Sequence, residues 1–133
     1  IISGSIAVKK CPIILKKLFD KKVHINCIIT NSAKKIIDKK IIQKCIKGKI
    51  FDDFSEKNKK MLHITLTRKS DLVVVCPATA NLIAKFSHGY ADDLASTSLI
   101  ASNKQILFID KPDNLIRYTG QISNSPVLAR NVD

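Results

Sequence analysis

Two short polar segments near the start of the chain have residue types that could bind a phosphate group. Ser3, Gly4 and Ser5 follow two isoleucines and precede a helical pattern. Glycine lets a backbone approach a ligand, serine offers a hydroxyl group, and a helix N-terminus favours an anion. This segment has neither the G-x-G-x-x-G nor the P-loop pattern, so it suits a single phosphate. Thr30 and Ser32 repeat the arrangement after a second apolar segment. Both segments are also typical of turns that cap a helix.

A third polar segment follows the most apolar stretch of the chain. It runs from Pro77 through Ala78, Thr79 and Ala80 to Asn81. Small residues there would let a flat ring lie against the backbone, and Thr79 and Asn81 could hydrogen-bond the polar edge of that ring. The alternative is an ordinary loop between a strand and a helix, with Asn81 as the helix cap.

The other residues with reactive side chains give weaker signals. His63 lies between two apolar residues, where histidine is more often structural, although it could bind a carboxylate or exchange a proton near neutral pH. Asp92 and Asp93 are adjacent, so their side chains diverge and are poorly placed as an acid–base pair. Four cysteines without a C-x-x-C pair indicate reduced thiols and no metal site: Cys11, Cys27, Cys45 and Cys76.

Length and composition limit the class of protein. The 133 residues are enough for one domain with one core, and 45% hydrophobic residues exclude a wholly disordered chain. No apolar run approaches the ~20 residues that a membrane helix needs. The first residues do not have the basic and then apolar pattern of a signal peptide, so we expect a cytoplasmic location and no membrane partner.

The net charge of +12 raises the question of a nucleic-acid partner. The lysines, however, are spread over most of the first 70 residues together with abundant isoleucine and asparagine, a mixture that A- and T-rich codons also produce. We therefore interpret most of them as solvated and expect no nucleic-acid partner. A positive field would still favour anionic ligands such as phosphate esters.

The elements that would position these residues alternate between strands and helices. The predicted strands are the tail 1–2 and residues 23–29, 71–76 and 105–109. The first predicted helix has Pro12 in its first turn and its apolar face within residues 14–19, and the others are a segment from 33, 82–86 and 94–101. Residues 55–60 predict a loop. This order predicts a three-layer, Rossmann-like or flavodoxin-like α/β fold, with helices on both faces of a parallel sheet. In such sheets ligands bind beyond the carboxyl ends of the strands, where the polar segments and residues 111–114 fall.

Taken together, these segments resemble the homo-oligomeric flavin-containing cysteine decarboxylases, in the same order and over nearly the whole chain. Residues 3–7, with Lys10, resemble the family's flavin-phosphate loop, and residues 30–33 resemble its second flavin loop. Residues 63–66 resemble the motif of its active-site histidine.

The most specific similarity lies in residues 71–81, DLVVVCPATAN, and continues through 83–85, 89–94 and 96–97. The P-A-T-A-N loop together with the histidine motif favours the phosphopantothenoylcysteine decarboxylase branch. The resemblance implies two catalytic residues and a set of FMN contacts: catalytic His63 and Asn114, and for FMN Ser3, Gly4, Ser5, Ile6, Thr30, Ser32, Pro77, Ala78, Thr79, Asn81, Ser96 and Thr97.

The resemblance also implies an activity, that of a carboxy-lyase in coenzyme A biosynthesis. The substrate would be 4′-phosphopantothenoylcysteine, the product 4′-phosphopantetheine, and FMN would accept electrons from the cysteinyl thiol. By analogy the chain would form a homotrimer or a homododecamer. Two alternatives within the same fold stay open: a peptidyl-cysteine decarboxylase, and a non-catalytic or vestigial flavin-binding protein.

The sequence departs from the family pattern in two places. Lys111 and Asp113 replace the proline and methionine of the family's Pro-x-Met-Asn element, although Asn114 matches. Residues 1–133 are interpreted as a single flavoprotein domain truncated at both ends, with the first strand clipped and the cysteine-bearing substrate flap absent. On this interpretation the 133 residues alone would not complete the decarboxylation.

Overall fold

A parallel sheet forms the centre of the computed structural model, which describes residues 1–58 and 61–111. Strand β1 (Cys27–Ile28) pairs in parallel with β2 (Ile50–Phe51), and β3 (Val73–Val75) pairs in parallel with β4 (Ile106–Phe108). Residues 1–2 connect the two pairs. The spatial order is therefore β2, β1, residues 1–2, β3 and β4.

The hydrogen bonds of residues 1–2 define this order. The Ile2 amide donates to the Ile28 carbonyl at 2.8 Å on one side, and the Cys76 amide donates to the Ile1 carbonyl at 2.9 Å on the other. Ile2 also forms a parallel bridge with Ile29. The chain order reverses at residues 1–2, which makes this the switch point where open α/β sheets bind ligands.

The helices of the described chain follow the strands in alternation. They are a 3-10 helix (Ile6–Lys10), α1 (Cys11–Asp20), α2 (Asn31–Lys34), α3 (Lys39–Gln43), α4 (Asp53–Asn58), α5 (Leu62–Lys69), α6 (Ala80–Ser87) and α7 (Leu94–Ala101). Helix α7 has the predicted bounds because Asp93 and Ser96 form a capping box at its start. Helix α6 ends before Gly89, whose φ of 67° suits glycine.

Alternate strand residues point to opposite faces of the sheet, and both faces are covered. One face packs with the 3-10 helix, α1, α2 and α3 through Ile2, Val8, Cys11, Leu15, Cys27, Ile29, Ala33, Ile37, Ile42, Cys45 and Ile46. The other packs with α5, α6 and α7 through Ile28, Leu62, Val73, Val75, Ala78, Leu82, Leu94, Ala95, Leu99 and Ile106. The predicted three-layer α/β fold with a parallel sheet is confirmed. No helix in the described ranges has the length and apolarity to cross a bilayer.

The predicted strand over residues 23–29 is too long. The chain leaves α1 through Lys22, which adopts the left-handed conformation with φ 63°. The Val23 amide then donates to the Leu18 carbonyl at 3.1 Å, so this segment still belongs to the C-terminal turn of the helix. Regular pairing begins only at β1, and Val23 is exposed. The apolar residues alone did not reveal this turn.

The predicted loop over residues 55–60 is wrong where helix α4 lies, while residues 59–60 fall outside the described chain. Asp52 explains the helix. The Ser55 amide donates to the Asp52 carboxylate at 3.1 Å and to the Asp52 carbonyl at 2.9 Å, so Asp52 caps the first turn.

Asp52 also ties the two preceding helices to the end of β2. Its buried carboxylate accepts from the Nζ atoms of Lys34 at 3.1 Å and Lys39 at 3.4 Å. Burial alone raises the pKa of Asp52, but the hydrogen bonds from Lys34 and the Ser55 amide, with the two positive charges, outweigh it and lower the pKa to about 2.

We expect this carboxylate to make folding stability depend on pH in acid. Its folded pKa is depressed, so its contribution is present above pH ~4 and is lost as the pH falls towards 2. Asp52→Asn should therefore lower the free energy of unfolding by about 2 kcal/mol at pH 6 and by much less at pH 2.5. Urea unfolding at both values measures this difference. The exposed Asp20→Asn serves as control, and a deficit for Asp52→Asn that is equal at both pH values would contradict the assignment.

Candidate functional site

The polar loops gather at the carboxyl edge of the sheet. Because the strands are parallel, the loops that follow them all open on this edge. They comprise residues 3–5, 30–32, 52–53, 77–79 and 109–111. Of the predicted fourth loop, only Lys111 is described, so Asn114 and Asp113 lie outside the described residues.

The first and second loops are in direct contact at Gly4. A Cβ atom at Gly4 would lie 2.5 Å from the Ser32 Cβ and 2.9 Å from the Ser32 carbonyl carbon. Real Cβ atoms do not approach this closely, so only glycine fits. The Thr30 and Ser32 hydroxyl oxygens are 3.2 Å apart in the second loop. The two segments that the sequence predicted as phosphate-binding therefore form one cradle.

The cradle also offers backbone and side-chain donors. The amides of Gly4 and Ile6 make no hydrogen bond within residues 1–58 and 61–111. The Ser5 hydroxyl oxygen accepts from the Ala7 amide at 3.3 Å, and Thr30 accepts from the Ala33 amide at 3.2 Å. Both hydroxyls cap a helix. The Ser5 hydroxyl keeps a hydrogen that it can donate, and so does one of the two bonded hydroxyls of Thr30 and Ser32. Capping and ligand binding are thus compatible in these loops.

The first loop is also tied to the loop after β3. Ser3 is buried, and its hydroxyl donates to the Pro77 carbonyl. The Ala78 amide donates to the Ile109 carbonyl at 2.7 Å, which fixes the same loop to the end of β4. Ser3, predicted as a cofactor contact, therefore joins two loops.

The loop after β3 leads into α6 through Thr79, which caps the helix by accepting from the Leu82 amide at 3.3 Å. The sequence alternative had named Asn81 as the cap, and this is wrong because Asn81 is already in the first turn. Asn81 is exposed there. The Thr79 hydroxyl keeps its own hydrogen for a ligand at the edge.

The N-terminus of α7 also reaches this edge, but carboxylates occupy it. Ser96 is fully buried, and its hydroxyl donates to Asp93 Oδ1 at 2.6 Å within the capping box. The Ser96 amide donates to the same oxygen, and the Thr97 amide donates to the Asp93 carbonyl. The Leu94 amide donates to Asp53 Oδ1. Ser96, a predicted flavin contact, thus uses its hydroxyl in the cap.

His63 lies in the first turn of α5, and its side chain is partly buried. Helix α5 returns the chain to the start of β3 at the opposite edge, and its eight residues rise about 12 Å. The direction of the helix therefore places His63 at the end of α5 nearer the carboxyl edge. This is the side of the sheet on which the five loops lie.

The cysteines are buried and inert. Burial raises the pKa of Cys11 to about 12 and that of Cys76 to about 11, so both stay protonated. All four thiols are free, as predicted. No cluster of potential metal ligands occurs among the described residues.

A large cavity lies at the other edge of the sheet. It measures about 460 Å³ and is lined by α1, by strand residues and by residues that precede the strands, including His24, Ser70 and Asp71. Ligands of parallel α/β sheets bind beyond the carboxyl ends, and none of the loop residues of the cradle lines this cavity. We therefore place the candidate site at the cradle.

The fold agrees with the matches to known proteins. A family profile described as Flavoprotein matches residues 1–122. This chain belongs to the Flavoprotein family. It is 32% identical over 133 residues to the coenzyme A biosynthesis bifunctional protein CoaBC of Bacillus subtilis, covering 98% of this chain and 31% of that protein.

Two further matches illustrate the range of the similarity. A probable phosphopantothenoylcysteine decarboxylase of Streptococcus mutans is 30% identical over 102 residues, covering 75% of this chain and 57% of that protein. The structure of the FMN-dependent cysteine decarboxylase TvaF from thioviridamide biosynthesis superposes with a TM-score of 0.76 at 23% identity, covering 99% of this chain and 79% of that one. The chain thus spans 31% of the length of the Bacillus subtilis protein and 57% of that of the Streptococcus mutans protein.

The Gly4 contact predicts a specific coupling between the two loops. Gly4→Ala should lower the free energy of unfolding by about 1–3 kcal/mol, because the new methyl group meets Ser32. Adding Ser32→Gly should recover part of this loss, since it removes the contact with the Ser32 side chain but leaves the contact with its carbonyl carbon. A double-mutant cycle measured by urea unfolding gives the coupling.

Gly89→Ala is the matched control, because its Cβ would meet nothing within 4 Å and its cost comes from the positive φ alone. Ser32→Gly should not rescue it. If the effects of Gly4→Ala and Ser32→Gly on the free energy of unfolding simply add, as those of Gly89→Ala and Ser32→Gly should, the first two loops are not in contact.

Proposed function

We propose that this chain is the flavin-binding part of an FMN-dependent decarboxylase that converts 4′-phosphopantothenoylcysteine to 4′-phosphopantetheine in coenzyme A biosynthesis. The observation that carries the proposal is the cradle formed where Gly4 meets Ser32, at the switch point of the sheet. It suits one phosphate rather than the diphosphate of a dinucleotide. FMN as the cofactor is supported by the membership of this chain in the Flavoprotein family.

The residues of the cradle fit the polar end of FMN. The hydroxyls of Ser5, Thr30 and Ser32 would hold the phosphate, together with the Gly4 and Ile6 amides. The small residues of the loop after β3 would lie along the flavin ring. When bound, FMN accepts the electrons released when the cysteinyl thiol is oxidised, which gives the departing carboxylate an electron sink.

His63 is proposed to act on the substrate, because it is separate from the phosphate cradle. An imidazole there could donate a hydrogen bond to the substrate carboxylate or orient the cysteinyl group. Asn114, outside the described residues, is the second proposed substrate contact. The net charge of +12 would favour a phosphorylated substrate over a neutral one.

A peptidyl-cysteine decarboxylase is the second candidate. The structure of the peptidyl-cysteine decarboxylase EpiD covers 99% of this chain, but at 24% identity the likeness shows the fold alone. The two relatives at 30% identity or more support the coenzyme A branch instead. Turnover of 4′-phosphopantothenoylcysteine compared with a peptide ending in cysteine distinguishes the two.

A homo-oligomer, as a homotrimer or homododecamer, is also proposed. Two large apolar side chains are exposed in segments at the carboxyl edge: Ile6 is 71% exposed and Phe54 70%. Exposed apolar groups near one edge support burial against a second copy of the chain.

The cradle predicts the identity of the bound flavin. FMN should bind at least about tenfold more tightly than riboflavin, because only FMN presents a phosphate to the first two loops. FAD should bind more weakly than FMN, because its second nucleotide has no dinucleotide-binding pattern to receive it. Quenching of flavin fluorescence measures all three affinities. Release of FAD from the purified protein, or equal affinity for FMN and riboflavin, would contradict the proposal.

The position of His63 predicts that a substitution there lowers turnover without affecting flavin binding. In the full-length polypeptide that contains this segment, His63→Asn should leave the flavin absorbance spectrum and FMN affinity unchanged and lower kcat/KM at least about 100-fold. Carbon dioxide release and the thiol product measure turnover. His24→Asn, at the opposite edge, is the matched control. Loss of FMN or of thermal stability in His63→Asn would instead indicate a structural histidine.

A further inference from the structure

Asp53, the first residue of α4, uses both carboxylate oxygens to bind elements that are distant in sequence. Oδ2 accepts from the Asn31 side-chain amide at 2.8 Å, and Oδ1 accepts from the Leu94 backbone amide at 2.9 Å. Asn31 is the middle residue of the second loop, and Leu94 is the first residue of α7. One side chain therefore joins the second loop to the N-terminus of α7.

The second loop depends on such contacts because its helix is very short. Helix α2 has four residues, too few to hold its own geometry in water. Two consecutive carboxylates at the end of β2 hold its two ends: Asp52 binds Lys34 at the last residue, and Asp53 binds Asn31 at the first. Asn31 separates Thr30 from Ser32, the two hydroxyl residues of the cradle. The position of both hydroxyls therefore follows from that of Asn31.

The charge of Asp53 argues against direct contact with the ligand phosphate. A carboxylate beside a phosphate would repel it. Here the negative charge is bound to the positive N-terminus of α7, where Asp93 also caps the helix. Asp53 therefore acts on the second loop through a hydrogen bond, and the N-terminus of α7 stabilises its charge.

We propose that Asp53 is a positioning residue that holds residues 30–32 in the geometry that binds the phosphate of the flavin, by tying Asn31 to the N-terminus of α7. The inference rests on the proposed function, because it takes the cradle as the phosphate site. On this proposal Asp53 does not touch the flavin, yet it determines how strongly the site prefers a phosphorylated flavin.

The test compares the dissociation constants of FMN and riboflavin in the full-length polypeptide. Asp53→Ala should weaken FMN binding at least about tenfold and leave riboflavin binding nearly unchanged, so that the preference for FMN falls. Asn31→Ala should have a similar effect, and the two changes together should not be additive, because they remove the same bond. Asp38→Ala, which removes the side-chain cap of α3, is the control and should keep the preference.

An isosteric variant and the partner variant keep the test valid if Asp53→Ala does not fold. In Asp53→Asn, the side-chain oxygen can still accept from the Leu94 amide, and the side-chain NH2 group can donate to the side-chain oxygen of Asn31 once that amide has turned over. This variant adds no charge to the cradle and should keep most of the preference for FMN. An Asp53→Ala or Asn31→Ala protein with the wild-type preference would overturn the inference alone, and an Asp53→Asn protein that loses the preference completely would also overturn it. A wild-type protein without any preference for FMN would overturn the proposed function.

Discussion

The hydrogen bonds of Ile1 and Ile2 are the constraint on which the site depends. These two residues pair with β1 on one side and with β3 on the other, so they join the two halves of the sheet. The following loop, residues 3–5, must then emerge between the loops that end β1 and β3. The approach of Gly4 to Ser32 and the bond from Ser3 to Pro77 are the direct results of this placement.

Elements whose signals are local could be predicted from the sequence. The apolar run before Pro77 predicted β3, and the residues that start and end α7 agreed with the structure because its cap is encoded within four residues. The strand at 23–29 failed because the turn out of α1 depends on the backbone conformation of Lys22, a residue with no unusual composition around it. Helix α4 was missed because a run of charged and polar residues is typical of a loop. Only the structure shows that Asp52 caps this run as a helix.

In the candidate site, too, residues with a local sequence signal could be predicted and residues whose partners are distant in sequence could not. The hydroxyl residues of the first two loops were found because their types suit a phosphate, although each also caps a helix. The sequence could not reveal Asp53, since its partners lie 22 and 41 residues away and come together only when the sheet forms. A pair of aspartates after an apolar segment was the available signal, and by itself it is typical of an exposed turn. The polar atoms of the edge therefore stabilise the loops as well as preparing them for a ligand.

The most direct measurement of the central claim is a map of backbone amide chemical shifts on titration with FMN. We expect the largest changes at Gly4, Ile6 and Ser32 and in residues 78–81, because these surround the cradle at the carboxyl edge. The amides around the apolar cavity at the opposite edge, residues 23–26 and 70–72, should change little. If the largest changes fall on those residues and the cradle amides stay unchanged, the flavin does not bind where the fold places it.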